Sequence, residues 1–190
     1  MKSVLISIRP KWVEKIADGE KTIEVRKTAP KEVPFKCYIY MTQGTLKDLC
    51  DYSEYIYQNR MKVIGEFICD EVERFSVGSL RSDDIEKLAC LSYNEMISYF
   101  YKPEELDGNT AKQGLAWHIS DLKIYDKPKE LSEFKKTKDK IAMTCGMQAR
   151  NGLCRAIDYE ELCDNIKCCF KTPRPPQSWQ YVEELKNERI

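Results

Sequence analysis

Between Gly19 and Arg26 the chain reads Gly-Glu-Lys-Thr-Ile-Glu-Val-Arg, which sets an ammonium, a carboxylate and a guanidinium close together at Lys21, Glu24 and Arg26. A carboxylate and a guanidinium on one strand face can pair, and a lysine beside them offers a compact charge for a phosphate or a carbonyl oxygen. Such a trio suits the floor of a polar pocket. It would also suit acid–base chemistry, with Glu24 or the later Glu66 as base and Lys21 stabilising an oxyanion. The same three residues are equally accounted for as solvated strand side chains making a surface ion pair of little worth.

The elements around the trio follow from periodicity. Ser3 to Ile8 alternates with the period of a strand, and Arg9-Pro10 stops it. Trp12, Val13, Ile16 and Ala17 then recur at helical spacing, and Gly19 supplies the left-handed residue that ends such a helix. After Gly19 the period returns to two, so Ile23 and Val25 lie on one side of a strand and Glu24 and Arg26 on the other.

Further along, residues 35–41 read as a strand that buries Phe35, Cys37, Ile39 and Met41 and turns Tyr38 and Tyr40 the other way. Those tyrosines either stack on a base or pack with their hydroxyls at a rim. Residues 45–60 have helical spacing, and 61–72 read as a strand in which Ile64, Glu66 and Ile68 share one face. Glu66 among apolar neighbours predicts a raised pKa or a cationic partner, unless it lies at an exposed edge. Ser79 or Ser82 caps a helix, and Ser92 with Glu95 forms a capping-box pattern for a second, so residues 79–100 are expected to be a two-helix insertion. Asp107-Gly108-Asn109 is a turn, and 114–124 a strand with Leu115, Trp117 and Ile119 on one face. The single histidine, His118, faces the other way, as a functional group or as a hydrogen-bonded structural residue.

Composition narrows the classes. With 42% hydrophobic residues among 190, the chain can build a packed core of one domain plus an extension. The absence of a long apolar run or a signal-like N-terminus predicts a cytoplasmic protein. Zero formal net charge argues against a nucleic-acid binder that works by bulk charge. Residues 1–36 nevertheless hold nine Lys or Arg against five Asp or Glu, and 70–107 hold four against ten, so one face is expected to attract phosphates and another to repel them.

The nine cysteines of a reduced compartment are better read as core residues, metal ligands or redox groups than as disulfides. Cys145, Cys154, Cys163, Cys168 and Cys169 crowd into a short tail after a basic linker near 135. The first four are candidate ligands for a structural zinc, although no C-x2-C knuckle is present. Alternatively Leu162, Cys163, Ile166 and Cys169 form the apolar stripe of a docked helix, and Trp179 anchors the returning chain.

The run Gly-x-Lys-x-x-Glu-x-Arg, preceded by a strand and a short helix opened by Arg9-Pro10 and Trp12, resembles the signature of the ASCH domain, a small β-barrel related to the PUA RNA-binding fold. Tyr38-Ile39-Tyr40 resembles the second barrel strand of that family and Val63-Ile64-Gly65-Glu66-Phe67 a later one. Trp117-His118-Ile119-Ser120 with Tyr125, Pro128 and Leu131 resembles its closing strand and exit turn. The match spans residues 1–134, and the longer build with Arg174-Pro175-Pro176-Gln177-Ser178-Trp179 is similar to versions from bacterial and bacteriophage genomes. The resemblance implies an α+β protein: a PUA-like barrel of five to six mostly antiparallel strands with flanking helices. Residues 135–190 would be a helical, Cys-rich extension packed on it.

It further implies a cleft beside the motif that takes RNA or a nucleotide-like ligand. There Lys21 and Arg26 would meet phosphate or base oxygens, Glu24 would orient Arg26 or accept from a base amine, and Arg9, Tyr38, Tyr40 and His118 are further ligand-binding candidates. One ASCH-like group resembles amidases acting on N4-acetylcytidine, and others are linked to RNA cleavage, so hydrolysis of RNA or a modified nucleoside is the rival expectation. The amidase lysine corresponds to Lys21, but the threonine that would be its nucleophile stands as Glu24 here. A third class is a regulatory module whose Cys-rich tail binds a protein partner.

Overall fold

The N-terminal alternation becomes β1 (Lys2–Ile8), which is buried along most of its length. Pro10 opens α1 (Pro10–Ala17), where its missing N–H costs nothing and its fixed φ suits a first helical turn. Gly19 follows at φ +76°, the left-handed position expected at the end of that helix. In this computed structural model, residues 1–45, 52–105, 111–137 and 175–185 are described, apart from the side chain of Leu80. The remaining elements are β2 (Ile23–Arg26), β3 (Phe35–Met41), α2 (Glu54–Gln58), β4 (Val63–Cys69), β5 (Val72–Ser76), α3 (Leu80–Leu88), α4 (Tyr93–Phe100), β6 (Gln113–His118), β7 (Ser120–Lys129) and β8 (Trp179–Val182).

The strands form two sheets, one ordered β7-β4-β3-β1-β8 and the other β2-β6-β5. The fold is thus α+β, with more strands among the described residues than the five to six expected, and the barrel is not closed. The reason lies at β1. One of its edges pairs in parallel with β3 and the other antiparallel with β8, so no edge is left to receive β2. Instead, β2 pairs with β6. All other ladders are antiparallel.

Three apolar clusters result. The largest joins Val4, Ile6 and Ile8 of β1 to Val13 and Ile16 of α1, alternate residues of β3, Phe67 and Trp117. A second lies under the insertion, where Ile23, Val25 and Ala116 of the small sheet meet Ile85, Ala89, Met96 and Phe100. The third covers the other face of the large sheet with Leu5, Tyr38, Tyr40, Val63, Phe134 and Val182. Because β1 and β3 are covered on both faces, they read as near-continuous apolar runs.

Several expectations change in detail. The helix expected over 45–60 is limited to α2 among the described residues. The strand expected over 114–124 is two strands broken at Ile119, whose N–H donates to the Thr22 carbonyl at 3.0 Å. In β4 the strict period fails. Its register against β3 slips between Ile39 and Tyr40 and against β7 between Val63 and Gly65, so Ile64 turns inward with Phe67 and Cys69 rather than outward with Glu66. The turn expected at 107–109 and the tail cysteines Cys145, Cys154, Cys163, Cys168 and Cys169, with their expected helix, lie outside the described residues.

Gly65 sits in that irregular stretch because nothing larger fits. A Cβ there would stand 2.5 Å from the Lys123 carbonyl oxygen, which belongs to a paired backbone. Overpacking of this kind costs about 1–3 kcal/mol. Gly65→Ala is expected to lower the unfolding free energy by that amount, read as a lower urea midpoint at unchanged m-value, and an unaltered midpoint would show that β7 yields freely.

Candidate functional site

The small sheet decides where the motif residues point. Ile23 and Val25 turn to the helical insertion, so Glu24 and Arg26 must face the other way, toward β1. There Glu24 is held between two cations, with Oε1 2.9 Å from Arg26 Nη2 and Oε2 3.3 Å from Lys21 Nζ. These are not surface pairs. Lys21, Glu24 and Arg26 are only 2%, 6% and 7% exposed. Each cation has a second anchor: Lys21 Nζ donates to the Ala89 carbonyl at 2.8 Å, and Arg26 Nη2 donates to the Ser7 carbonyl at 2.7 Å. The Ala89 carbonyl closes α3, a helix end that favours a nearby cation.

A cleft of about 470 Å³ opens over this trio. Arg9 and Trp12 line it from the start of α1, Leu91, Glu95, Ser98 and Tyr99 from the insertion, and Gln177 from the C-terminal segment. The Trp12 ring carries Lys11 Nζ at 4.3 Å and Lys21 Nζ at 5.5 Å from its centroid. Lys11 also pairs with Glu95 at 2.8 Å, joining α1 to α4. Burial raises the pKa of the Tyr99 hydroxyl, and the adjacent Arg26 guanidinium pulls it the other way. The floor therefore carries two cations for one carboxylate, and the buried Arg26 Nε has no hydrogen-bond partner. Such a floor suits a ligand rich in acceptors.

Three solved structures share this architecture over nearly their whole length. A crystal structure of ASCH from Zymomonas mobilis superposes with a TM-score of 0.54 at 21% identity, covering 98% of this chain and 90% of that one. The chain carries the ASCH fold. Two single-substitution variants of the same Zymomonas mobilis protein agree, with TM-scores of 0.53 and 0.54, identities of 19% and 20%, coverage of 97% and 96% of this chain, and of 92% and 89% of theirs. No family model matches the sequence, and neither does any curated protein.

Within this ASCH fold the expected site residues separate into two groups. Lys21, Glu24, Arg26 and Arg9 come together at the cleft. Tyr38, Tyr40 and Glu66 do not. Tyr38 and Tyr40 lie in the cluster on the other face of the large sheet, where Tyr38 packs edge-on against Phe134 and its hydroxyl accepts from the Leu185 N–H at 3.1 Å. Glu66, opposite Tyr38 in register, accepts from the Tyr125 hydroxyl at 2.6 Å and lies 3.6 Å from Lys36 Nζ. That is the cationic partner anticipated from its apolar strand, and it removes Glu66 from the cleft. His118 lies opposite Ile23 at the start of β2, outside the cleft lining, with its backbone N–H on the Glu71 carbonyl at 3.0 Å. No group of three or more metal-capable side chains clusters among the described residues.

Trp12, Tyr99, Ser98 and Gln177 line the cleft without having been singled out as site residues. The helical spacing that marks Trp12 as packing does not show which of its neighbours are cations. Glu95 was legible only as half of a capping box, which does form: the Ser92 N–H donates to Glu95 Oε2 at 2.9 Å.

Burial opposes ionisation of Glu95, but hydrogen bonds from Lys11 and from the Ser92 amide and hydroxyl outweigh it and hold the carboxyl at about 2. A carboxyl depressed in the folded state adds stability above its unfolded pKa of about 4.3 that is lost as pH falls toward 2. Glu95→Gln, which can still complete the capping box, is expected to melt below the wild type at pH 6, with the difference closing as both are taken to about pH 2. A difference that stays constant over that range would mean that the charge of Glu95 adds nothing.

Proposed function

We propose that the chain binds nucleic acid, receiving single-stranded RNA or a nucleotide-like ligand in the cleft over Lys21, Glu24 and Arg26. The observation that carries this reading is the floor of the cleft, where Lys21 and Arg26 set two cations against the one carboxylate of Glu24. Phosphate and base oxygens are the acceptors that such donors meet in RNA, and unstacked bases find aromatic surface on Trp12 and Tyr99. Local placement of charge also reconciles binding with a net charge of zero: the site needs few cations, provided that they are dry. The ASCH fold, related to the PUA RNA-binding fold, supports the same reading.

Hydrolysis of RNA or of a modified nucleoside is the second reading. One observation favours it: Lys21 and Glu24 touch at 3.3 Å within a cleft that also presents the hydroxyls of Thr42 and Ser98. Consumption of the ligand separates the two.

Fluorescence anisotropy with short single-stranded RNAs tests the binding reading. Tyr99→Leu is expected to weaken affinity by about 1–3 kcal/mol through lost stacking. Arg26→Met is expected to weaken it by a similar amount and to lower the salt dependence by about one ion. No binding by the wild type, or wild-type affinity in both variants, would remove the cleft as an RNA site. Mass spectrometry of the recovered RNA decides the rest: cleaved or demodified product that disappears with Lys21→Ala would make the protein a hydrolase.

A further inference from the structure

The C-terminal segment reaches the cleft through an arrangement that a simple edge strand does not need. Immediately before β8, the Pro176 carbonyl accepts from the Ser7 hydroxyl at 2.6 Å, and the Ser178 carbonyl accepts from the Ser7 N–H at 3.0 Å. The Ser178 hydroxyl lies 3.4 Å from Arg26 Nη1, and the next residue, Trp179, donates its indole N–H to the Thr28 hydroxyl at 3.0 Å. The backbone on either side of Gln177 is thus fixed to β1 and to the floor of the cleft. Gln177 itself lines the cleft, is exposed, and has no hydrogen-bond partner among the described residues. The result is a rigid base with a free head.

What that head can do follows from what the floor cannot. Lys21 and Arg26 offer donors alone, and both oxygens of Glu24 already accept from them. A floor of this kind holds any ligand with acceptors and does not tell one base from another. A carboxamide has a donor and an acceptor at fixed separation and pairs with a matching base edge in two bonds at once. The Thr42 hydroxyl, also in the cleft, rotates to suit either kind of partner and so discriminates poorly.

We propose that Gln177 is the base-selecting residue of the cleft, reading the hydrogen-bonding edge of a nucleobase whose phosphate or carbonyl oxygens lie on Lys21 and Arg26. This rests on the RNA-binding reading and adds to it a division of labour: the motif supplies affinity, and the C-terminal segment supplies choice.

The test is a competition titration of the full chain with short single-stranded RNAs differing at one base, for the wild type, Gln177→Ala and Gln177→Glu. An exposed side chain without partners leaves folding unaffected when truncated. The wild type is expected to prefer one base by at least about fivefold, the lower end for one bidentate pair. Gln177→Ala should erase that preference while retaining the salt dependence that reports the floor, and Gln177→Glu, an acceptor only, should shift preference toward bases presenting an exocyclic amine. Equal affinities for all bases in the wild type, or a preference that survives in Gln177→Ala, would overturn the assignment while leaving RNA binding standing. Failure of the wild type to bind any of the RNAs would overturn both.

Discussion

Glu24 is the charge on which the architecture of the cleft turns. Through Lys21 it is tied to the end of α3, and through Arg26 to the backbone of β1 and the residues preceding β8. One carboxylate therefore connects the helical insertion, the N-terminal strand and the C-terminal segment. Removing a single partner from a buried ion cluster costs about 3–5 kcal/mol, because the charges left behind are neither hydrated nor paired. The geometry of the trio is fixed by that penalty more than by attraction between its members.

The insertion shows how the same residues serve packing and site together. Met96 and Phe100 of α4 bury against Ile23 and Val25, while Glu95, Ser98 and Tyr99, on the adjoining face of the helix, line the cleft. Helical spacing separates these two faces automatically. The acidic stretch 70–107 thereby comes to border a basic floor, and at that border Lys11 and Glu95 form an ion pair, so the cation surplus stays with Lys21 and Arg26.

How much of this could be read from the sequence depended on how local its cause was. The strand–helix–strand order over residues 2–26, the left-handed Gly19, the capping box and the shared face of Glu24 and Arg26 all follow from spacings of a few residues, and all are present. Tyr38, Tyr40 and Glu66 lie away from the cleft because their face of β3 and β4 is covered from far along the chain, by Phe134 and Val182. Alternation separates two faces of a strand without saying which one meets a ligand. The slip at Ile64 was hidden for a related reason: it is set by pairing with β3 and β7 rather than by the β4 sequence. The place of Gln177 at the cleft was hidden in the sequence because it depends on β8 pairing with β1 across most of the chain.

That last pairing has a consequence for the order in which the protein is made. Ser7 and Gln177 border one cleft, yet most of the chain lies between them in the sequence. Domains generally fold as units during synthesis, so a domain closed by a late segment waits for it. The Lys21–Glu24–Arg26 floor needs Ala89 and the pairing of β2 with β6, so it waits for residues near 118, and the side of the cleft held by Gln177 waits longer still. The cleft is complete only once residues 175–182 have been made and β8 has paired with β1, so a nascent chain that has not reached them lacks the side that Gln177 provides.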